Sequence, residues 1–183
     1  MADLAHCLGL PVPPVTLWDR GASSGQPQFV AVSAWAYEGV LQWGQVDATL
    51  TYDQRLALLP AASAMVPFEA WIGAQDRQNP GNMLVAADAN GDVKGAWIDY
   101  SFSLNHSWNG NHQPNCQIVP MYPMVGSPVA GVVADVVNGI SGLQDAEIGK
   151  IVNRIPSDYL PRSIADTILK NLLDRRATLR SIF

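Results

Sequence analysis

Residues 71–104, with the sequence WIGAQDRQNPGNMLVAADANGDVKGAWIDYSFSL, contain the pattern that decides the fold. An apolar helical segment ends at Gly73, Asp76 follows in a polar turn, and Asn82 lies six residues further on. A second carboxylate, Asp99, comes seventeen residues after Asn82, at the end of a predicted β-hairpin. Mg²⁺ prefers carboxylate and amide oxygens as ligands, and a carboxylate can also orient an attacking hydroxyl group. The stretch therefore predicts a site for Mg²⁺ and a nucleotide phosphate.

Turn-forming residues divide this stretch into strands. The sequence Asn-Pro-Gly at 79–81 predicts a tight turn, because proline disfavours a helical conformation in the residue before it and glycine accepts positive φ. Residues 83–87 and 93–99 are each predicted to form a strand, with the polar residues 88–92 at the hairpin tip. Asn82 is therefore expected to begin a strand. The two acids of the site have a structural alternative, since aspartates also bond to nearby loop amides.

The hairpin tip partly matches a calcium-binding loop, because Asp88, Asn90 and Asp92 alternate along it and Asp99 lies eleven residues after Asp88. A calcium loop requires glycine at its sixth position for a sharp turn, and here that position is Val93. The flanking segments are also predicted to be strands rather than helices. These differences favour a hairpin over a calcium site.

The composition indicates one globular domain. The chain has 183 residues, of which 48% are hydrophobic, and this is enough to bury one substantial core. No apolar run approaches the roughly 20 residues that cross a bilayer, and the N-terminal segment has neither a basic region nor a cleavage pattern. We therefore expect a single cytoplasmic domain, residues 1–183, with no membrane partner.

Charge and metal-binding residue types narrow the function further. The formal net charge is −5 and only three residues are lysine, which argues against binding of nucleic acid. Cys7 and Cys116 lack C-x-x-C spacing, so neither a disulfide framework nor a zinc site is predicted. His106 and His112 lie near Cys116, but their six-residue spacing matches no helical or zinc-finger pattern and favours a surface loop.

The N-terminal part is predicted to form a second hairpin. Its strands are predicted at residues 15–18 and 28–33, joined by a turn rich in glycine and serine. The next segment, residues 34–44, contains three aromatic residues without clear periodicity. Two interpretations are open, a linker or cleft lining on one hand and a core beside a loop on the other, and the core is favoured.

Helices are predicted elsewhere from capping residues and apolar periodicity. Thr51 or Asp53 is predicted to cap a helix that ends at Leu59, and Pro60 is predicted in the first turn of a separate helix, residues 61–73. Further helices are predicted within residues 4–10, ending at Gly9, and at residues 128–138, 145–154 and 162–182. The arginines near the end of the last helix are interpreted as a solvated face.

This order of helices and hairpins is the layout of the large lobe of a protein-kinase-like fold. The segment Trp71-Ile-Gly-Ala-Gln-Asp76-Arg, with Asn82 and Ile98-Asp99, resembles the catalytic loop and metal-binding segment of the HipA-like and phosphatidylinositol-kinase-like atypical kinases. Residues 4–14 resemble the passage from helix to strand before the nucleotide hinge of the HipA-like group. Residues 151–156 and 173–176 resemble the C-terminal helices of the same group. The resemblance covers most of the chain.

The resemblance implies an α+β fold, namely a mostly helical protein-kinase-like large lobe with small β-hairpins that lacks most of the small lobe. Residues 1–50 would be a remnant of the small lobe and the hinge, and residues 51–183 would be the helical large lobe. The implied activity is ATP- and Mg²⁺-dependent transfer of a phosphoryl group to a hydroxyl of a protein or small molecule.

The resemblance also implies a role for each residue of the site. Asp76 would be the catalytic base, and Asn82 and Asp99 would be ligands of Mg²⁺. The hinge strand would lie within residues 30–35, where Val30, Val32 and Ser33 would contact ATP through backbone groups.

Three departures from the family pattern leave two hypotheses open. Family members usually have asparagine at position 81 and often histidine at position 78, where this chain has Gly81 and Gln78. A kinase-like enzyme also needs a strand lysine that holds the phosphates, but Lys94, Lys150 and Lys170 are predicted on the second hairpin and the late helices. The chain is therefore either a phosphotransferase with weak or lost activity or a non-catalytic, pseudokinase-like binding or regulatory module. Apolar surface at the position of a small lobe would also support a homo-oligomer.

Overall fold

The computed structural model describes residues 1–23, 26–34, 36–74, 79–100, 103–104 and 127–183. The helices in these residues are α1 (Ala2–Cys7), α2 (Trp43–Val46), α3 (Tyr52–Ile72), α4 (Ala130–Gly142), α5 (Asp145–Asn153) and α6 (Arg162–Leu179). The strands are β1 (Val15–Ser23), β2 (Gln26–Ser33), β3 (Leu41–Gln42), β4 (Met83–Ala87) and β5 (Val93–Trp97). The fold is α+β, mostly helical with small antiparallel sheets, which confirms this part of the predicted fold class.

Strands β1 and β2 form a two-stranded antiparallel sheet, as predicted for the N-terminal hairpin. The register pairs Thr16 with Val32 and Trp18 with Val30, so these four side chains belong to one face. The N–H of Ala34 donates to the carbonyl oxygen of Pro14 at 2.9 Å and closes the open end of the hairpin. Both strands are longer than predicted and extend into the glycine- and serine-rich segment between them.

Strands β3, β4 and β5 form the second sheet, in that order. The register of β4 and β5 pairs Met83 with Trp97, and the tip of this hairpin is attached to α3 because Gln54 Nε2 donates to Gly91 O at 3.1 Å. The predicted hairpin is confirmed, although β5 ends two residues earlier than expected. The segment at 34–44 was not predicted to contain a strand, yet Leu41 pairs with Val85.

Helix α3 is one continuous helix of 21 residues. Thr51 caps it, since the Thr51 hydroxyl accepts from the N–H of Gln54 at 3.2 Å and the Gln54 side chain accepts from the N–H of Thr51 at 3.0 Å. The helix ends at Gly73, whose φ of 64° is left-handed. The prediction of two helices separated at Pro60 is therefore wrong.

Two prolines, Pro60 and Pro67, lie inside α3, and each removes one backbone hydrogen bond from the helix. Burial on both sides of the first proline holds that turn together, because Leu58 and Ala62 are each only 3% exposed. The Ser63 hydroxyl also donates to the carbonyl oxygen of Leu59 at 2.6 Å. Packing of a long helix against the core thus outweighs a penalty of about 3 kcal/mol per internal proline.

The hydrophobic core lies between α3, the second sheet and the C-terminal helices. Its largest side chains are Trp71, Trp97, Phe68, Met65, Met83, Ile140, Ile148, Leu172 and Leu179, all essentially inaccessible to solvent. Trp43 is 3% exposed and belongs to the same cluster, which confirms the core interpretation for this aromatic residue. Tyr37 is only partly buried, and Trp35 lies outside the described residues.

The three C-terminal helices confirm the predicted order, with ends shifted by a few residues. The interpretation of their arginines as a solvated face is wrong for Arg175, which is 2% exposed. The Arg176 side chain also has protein partners, since it donates to the carbonyl oxygen of Leu143 and forms a salt bridge with the carboxylate of Asp145. Arg180 is exposed.

Within the described ranges, every helix is too short or too polar to cross a bilayer.

Candidate functional site

The predicted site begins where α3 ends. The N–H of Gly73 donates to Ala70 O at 3.3 Å and the N–H of Ala74 donates to Glu69 O at 2.9 Å, so the last turn of the helix closes on itself. Only a glycine adopts the left-handed conformation at this point without a steric penalty. Asp76, the predicted catalytic base, comes three residues after Gly73 and lies outside the described residues.

The chain re-enters the site through a tight turn, as the sequence predicts. Asn79 Oδ1 accepts from the N–H of Gly81 at 2.9 Å, and the N–H of Asn82 donates to Asn79 O at 3.0 Å. A Cβ atom on Gly81 would lie 3.2 Å from Asn79 Oδ1, so the turn has little room for a side chain there. Asn82 ends this turn, Pro80–Asn82, and β4 begins at the next residue.

Asn82 and Asp99 lie at adjoining ends of β4 and β5. The N–H of Ile98 donates to the carbonyl oxygen of Asn82 at 2.9 Å, which continues the ladder beyond the pair of Met83 and Trp97. Asp99 is the next residue after Ile98. Asn82 is 5% exposed, whereas Asp99 is exposed. The structure therefore brings together the two residues that were predicted to hold Mg²⁺.

Asp99 has an unusual backbone conformation. Its φ is +56°, and the described residues other than glycine include only one more positive value, +54° at Leu104. Aspartate tolerates the left-handed region better than most residues, but the conformation still costs free energy and is enriched at functional sites. Asp99 thus has a left-handed backbone two residues after the last residue of β5.

The segment after Asp99 is attached to the end of α3. The N–H of Leu104 donates to the carbonyl oxygen of Ile72 at 3.1 Å, and the N–H of Ser103 donates to Tyr100 O at 2.9 Å. The ring of Tyr100 packs edge-on against Phe68 of α3, with 6.2 Å between the ring centroids. These contacts hold the Asp99 segment beside the C-terminal end of α3.

The predicted nucleotide-contacting residues Val30, Val32 and Ser33 lie on β2, in the other sheet. Val32 is 42% exposed and Ser33 is exposed, so both have surface available for a ligand. Among the described strands, β2 pairs only with β1, and these three residues are therefore not part of the sheet that holds Asn82 and Asp99.

Two hydrogen bonds nevertheless connect the ends of the N-terminal hairpin with β5. The N–H of Trp97 donates to the carbonyl oxygen of Pro11 at 2.9 Å, four residues before β1 begins. The Tyr37 hydroxyl, four residues after β2 ends, lies 3.5 Å from Gly95 O as a donor. Both ends of the hairpin are thus held next to the strand that leads to Asp99.

The donor set fits a hard divalent cation that is completed by other ligands. Asn82 has an amide oxygen and Asp99 a carboxylate, and Mg²⁺ commonly takes one or two protein oxygens together with phosphates and water. In the part of the chain that is described, no cluster of three or more His, Cys, Asp or Glu residues is placed to hold a metal. A site formed wholly by such side chains is therefore absent from those residues.

The calcium-loop alternative is not supported by the geometry of the hairpin tip. Asp88 Oδ1 accepts from the N–H of Asn90 at 2.8 Å and from the N–H of Asp92 at 3.0 Å, so this carboxylate binds the backbone of its own turn. The tip is flanked by β4 and β5 rather than by helices. His106, His112 and Cys116 lie outside the described residues.

Sequence reasoning missed Arg175 as a residue of this region. Its Nη1 donates to the carbonyl oxygen of Ala70 at 3.1 Å, in the last turn of α3. The pattern that could have found it is the spacing of Ile168, Leu172, Arg175 and Leu179, which places the arginine on the apolar face of α6. All four residues are buried.

No protein-family model matches this chain, and a comparison with curated proteins also found no match.

Proposed function

We propose that this protein is a HipA-like, phosphatidylinositol-kinase-like member of the protein-kinase-like fold and that it binds Mg²⁺ and ATP. The observation that carries the proposal is the hydrogen bond between Ile98 and Asn82, because it sets Asn82 next to Asp99 at the end of β4 and β5. The long buried helix α3 ends beside this pair, in the order that the family resemblance requires.

In this proposal each residue of the site has one task. Asn82 and Asp99 would supply oxygen ligands, and Asp99 would do so from a left-handed backbone position after β5. Asp76 orients the acceptor hydroxyl or takes its proton. Backbone groups around Val30, Val32 and Ser33 contact the adenine. Asn82 and Asp99 would hold Mg²⁺, whose positive charge would neutralise the charge of the nucleotide phosphates.

A second candidate is a non-catalytic, pseudokinase-like module that binds a nucleotide without transferring phosphate. The positions of the three lysines favour it. Lys94 pairs with Ala86 near the tip of the hairpin, Lys150 is exposed on α5, and Lys170 on α6 pairs with Asp174. None of them takes the position of a strand lysine that holds nucleotide phosphates, and phosphoryl transfer depends strongly on such a charge.

The proposal predicts metal-dependent nucleotide binding that requires Asp99. Calorimetric titration of the parent with ATP is expected to show binding only with Mg²⁺ present. The Asp99→Asn variant is expected to weaken this binding by about tenfold or more, since Mg²⁺ sites depend on one or two carboxylates. Asp92→Asn is the matched control, because it removes the same charge at the opposite end of β5 and should leave the affinity unchanged.

Binding that survives Asp99→Asn, or that does not depend on Mg²⁺, would contradict the site. If the parent binds Mg²⁺ and ATP, transfer of a radiolabelled γ-phosphate to protein or small-molecule hydroxyls separates the two candidates. Phosphoryl transfer that the parent performs and the Asp76→Asn variant does not would identify a phosphotransferase. Nucleotide binding without phosphoryl transfer would identify the non-catalytic module.

A further inference from the structure

The last turn of α3 receives hydrogen bonds from two distant parts of the chain. Helix α6 contributes Arg175 Nη1, which donates to Ala70 O at 3.1 Å. The segment after Asp99 contributes the N–H of Leu104, which donates to Ile72 O at 3.1 Å. The last four carbonyl groups of an α-helix have no i+4 partner within it, so these donors add to the local cap that Gly73 and Ala74 provide.

Helix α6 is also held by the reverse contact. The indole N–H of Trp71 donates to the carbonyl oxygen of Leu172 at 2.9 Å, one turn before Arg175. Trp71 is fully buried, and Arg175 is 2% exposed. Two hydrogen bonds that run in opposite directions thus fix the angle and position of α3 against α6.

Burial of an arginine between two helices costs desolvation free energy unless hydrogen bonds to its guanidinium compensate for it. Moving a guanidinium out of water is unfavourable, and hydrogen bonds to charged donors are stronger than neutral ones inside a protein. The carbonyl end of a helix carries partial negative charge, which favours a cation at this place. Arg175 therefore brings a charged donor to the last turn of α3.

We propose that Arg175 is a positioning residue that fixes the end of α3 relative to the Asp99 segment. The affinity part of this inference rests on the proposed function, whereas its structural part does not. Arg175 acts through Ala70 and touches no ligand. Loss of its hydrogen bond is expected to loosen the last turn of α3 locally and, through the bond of Leu104 to Ile72, to displace the segment that contains Asp99.

The test compares Arg175→Met with Arg176→Met in the full chain. Methionine keeps an apolar stem and removes the guanidinium in both variants. Arg176 is the matched control because it is the next residue on α6 and also bonds to a backbone carbonyl, that of Leu143 between α4 and α5. Arg175→Lys is the third variant, since it keeps the charge but loses the planar fork.

Amide exchange followed by NMR is the first measurement. In Arg175→Met, the exchange of the Ala74 and Leu104 amides should accelerate by about tenfold beyond the change that the global unfolding free energy accounts for. Arg176→Met should show no such excess. Arg175→Lys should fall between the parent and Arg175→Met. Exchange in Arg175→Met that follows the global unfolding free energy alone would overturn the inference, because it would make Arg175 an ordinary contributor to stability.

The dissociation constant for ATP with Mg²⁺ is the second measurement. It should rise about tenfold in Arg175→Met and stay unchanged in Arg176→Met, as expected for loss of one buried charged hydrogen bond. If the parent does not bind the nucleotide, the proposed function fails, and amide exchange alone then decides whether Arg175 positions the helix end. Equal affinity in the parent and in a folded Arg175→Met variant would overturn the link to the site.

Discussion

The molecule contains two antiparallel hairpins that differ in what covers them. In the β4–β5 hairpin, Met83, Ala96 and Trp97 are at most 2% exposed and pack in the core beside α3. In the β1–β2 hairpin, Trp18 is 55% exposed and Val32 is 42% exposed. Backbone pairing is present in both hairpins, so what differs is the packing against their faces. We infer that a strand pair in this protein contributes to stability mainly through side chains buried against a helix and less through its backbone hydrogen bonds.

The largest expected contrast is between two tryptophans. Trp97→Ala should lower the free energy of unfolding by about 3–5 kcal/mol, because it removes a fully buried ring and leaves a cavity. Trp18→Ala, on the exposed face of β1, should change it by less than about 0.5 kcal/mol. Urea unfolding followed by circular dichroism measures both. Equal losses in the two variants would mean that the β1–β2 hairpin is covered in solution.

A smaller loss is expected when one methyl group is added inside the buried hairpin. A Cβ atom on Gly95 would lie 3.1 Å from two ring atoms of Trp97 and 3.3 Å from Met83 Cε. Gly95→Ala should therefore lower the free energy of unfolding by about 1–3 kcal/mol through overpacking. The neighbouring exposed residue provides the control, since Lys94→Ala should remain within about 0.5 kcal/mol of the parent. A neutral Gly95→Ala would show that the Trp97 ring can move aside.

The smallest expected effect compares two glycines with the same positive φ, Gly21 at the register shift in β1 and Gly91 at the tip of the β4–β5 hairpin. Gly21 and Gly91 both have φ of +85°, and a Cβ atom at either would meet nothing within 4 Å. Alanine at position 91 should lower the global free energy of unfolding by about 1 kcal/mol, the strain of a left-handed residue. Alanine at position 21 should leave the global value unchanged, because opening of the exposed hairpin relieves the strain. Identical losses would show that both hairpins unfold in one cooperative unit.

The sequence predicted the elements whose causes are local. The turn at residues 79–81 and the hairpin tip at 88–92 depend on the side chains of Asn79 and Asp88, which accept hydrogen bonds from the backbone of their own turns, and the structure confirms both. The adjoining ends of β4 and β5 at Asn82 and Asp99 follow from that hairpin. This part of the candidate site could therefore be derived from residue types and spacing alone.

The features that the sequence missed depend on distant partners. Pro60 has the local character of a helix start, yet burial of Leu58 and Ala62 keeps α3 continuous through it. Strand β3 has two residues and exists only because Leu41 meets Val85. Arg175 is buried, and Ala70 O, which accepts a hydrogen bond from its Nη1, lies 105 residues earlier in the chain. No local pattern contains these partners.

The attachments of the β4–β5 hairpin to α3 have a mechanical consequence. Its tip is bound near the first turn of the helix through Gln54, and the segment that follows its base is bound at the last turn through Ile72. The two attachment points enclose Pro60 and Pro67, where the helix has lost backbone hydrogen bonds and bends most easily. Any change in curvature at either proline alters the distance between the attachment points. Because a short β-ladder cannot stretch, such bending would displace Asn82 and Asp99, and the flexing of one helix would become motion at the two proposed metal ligands.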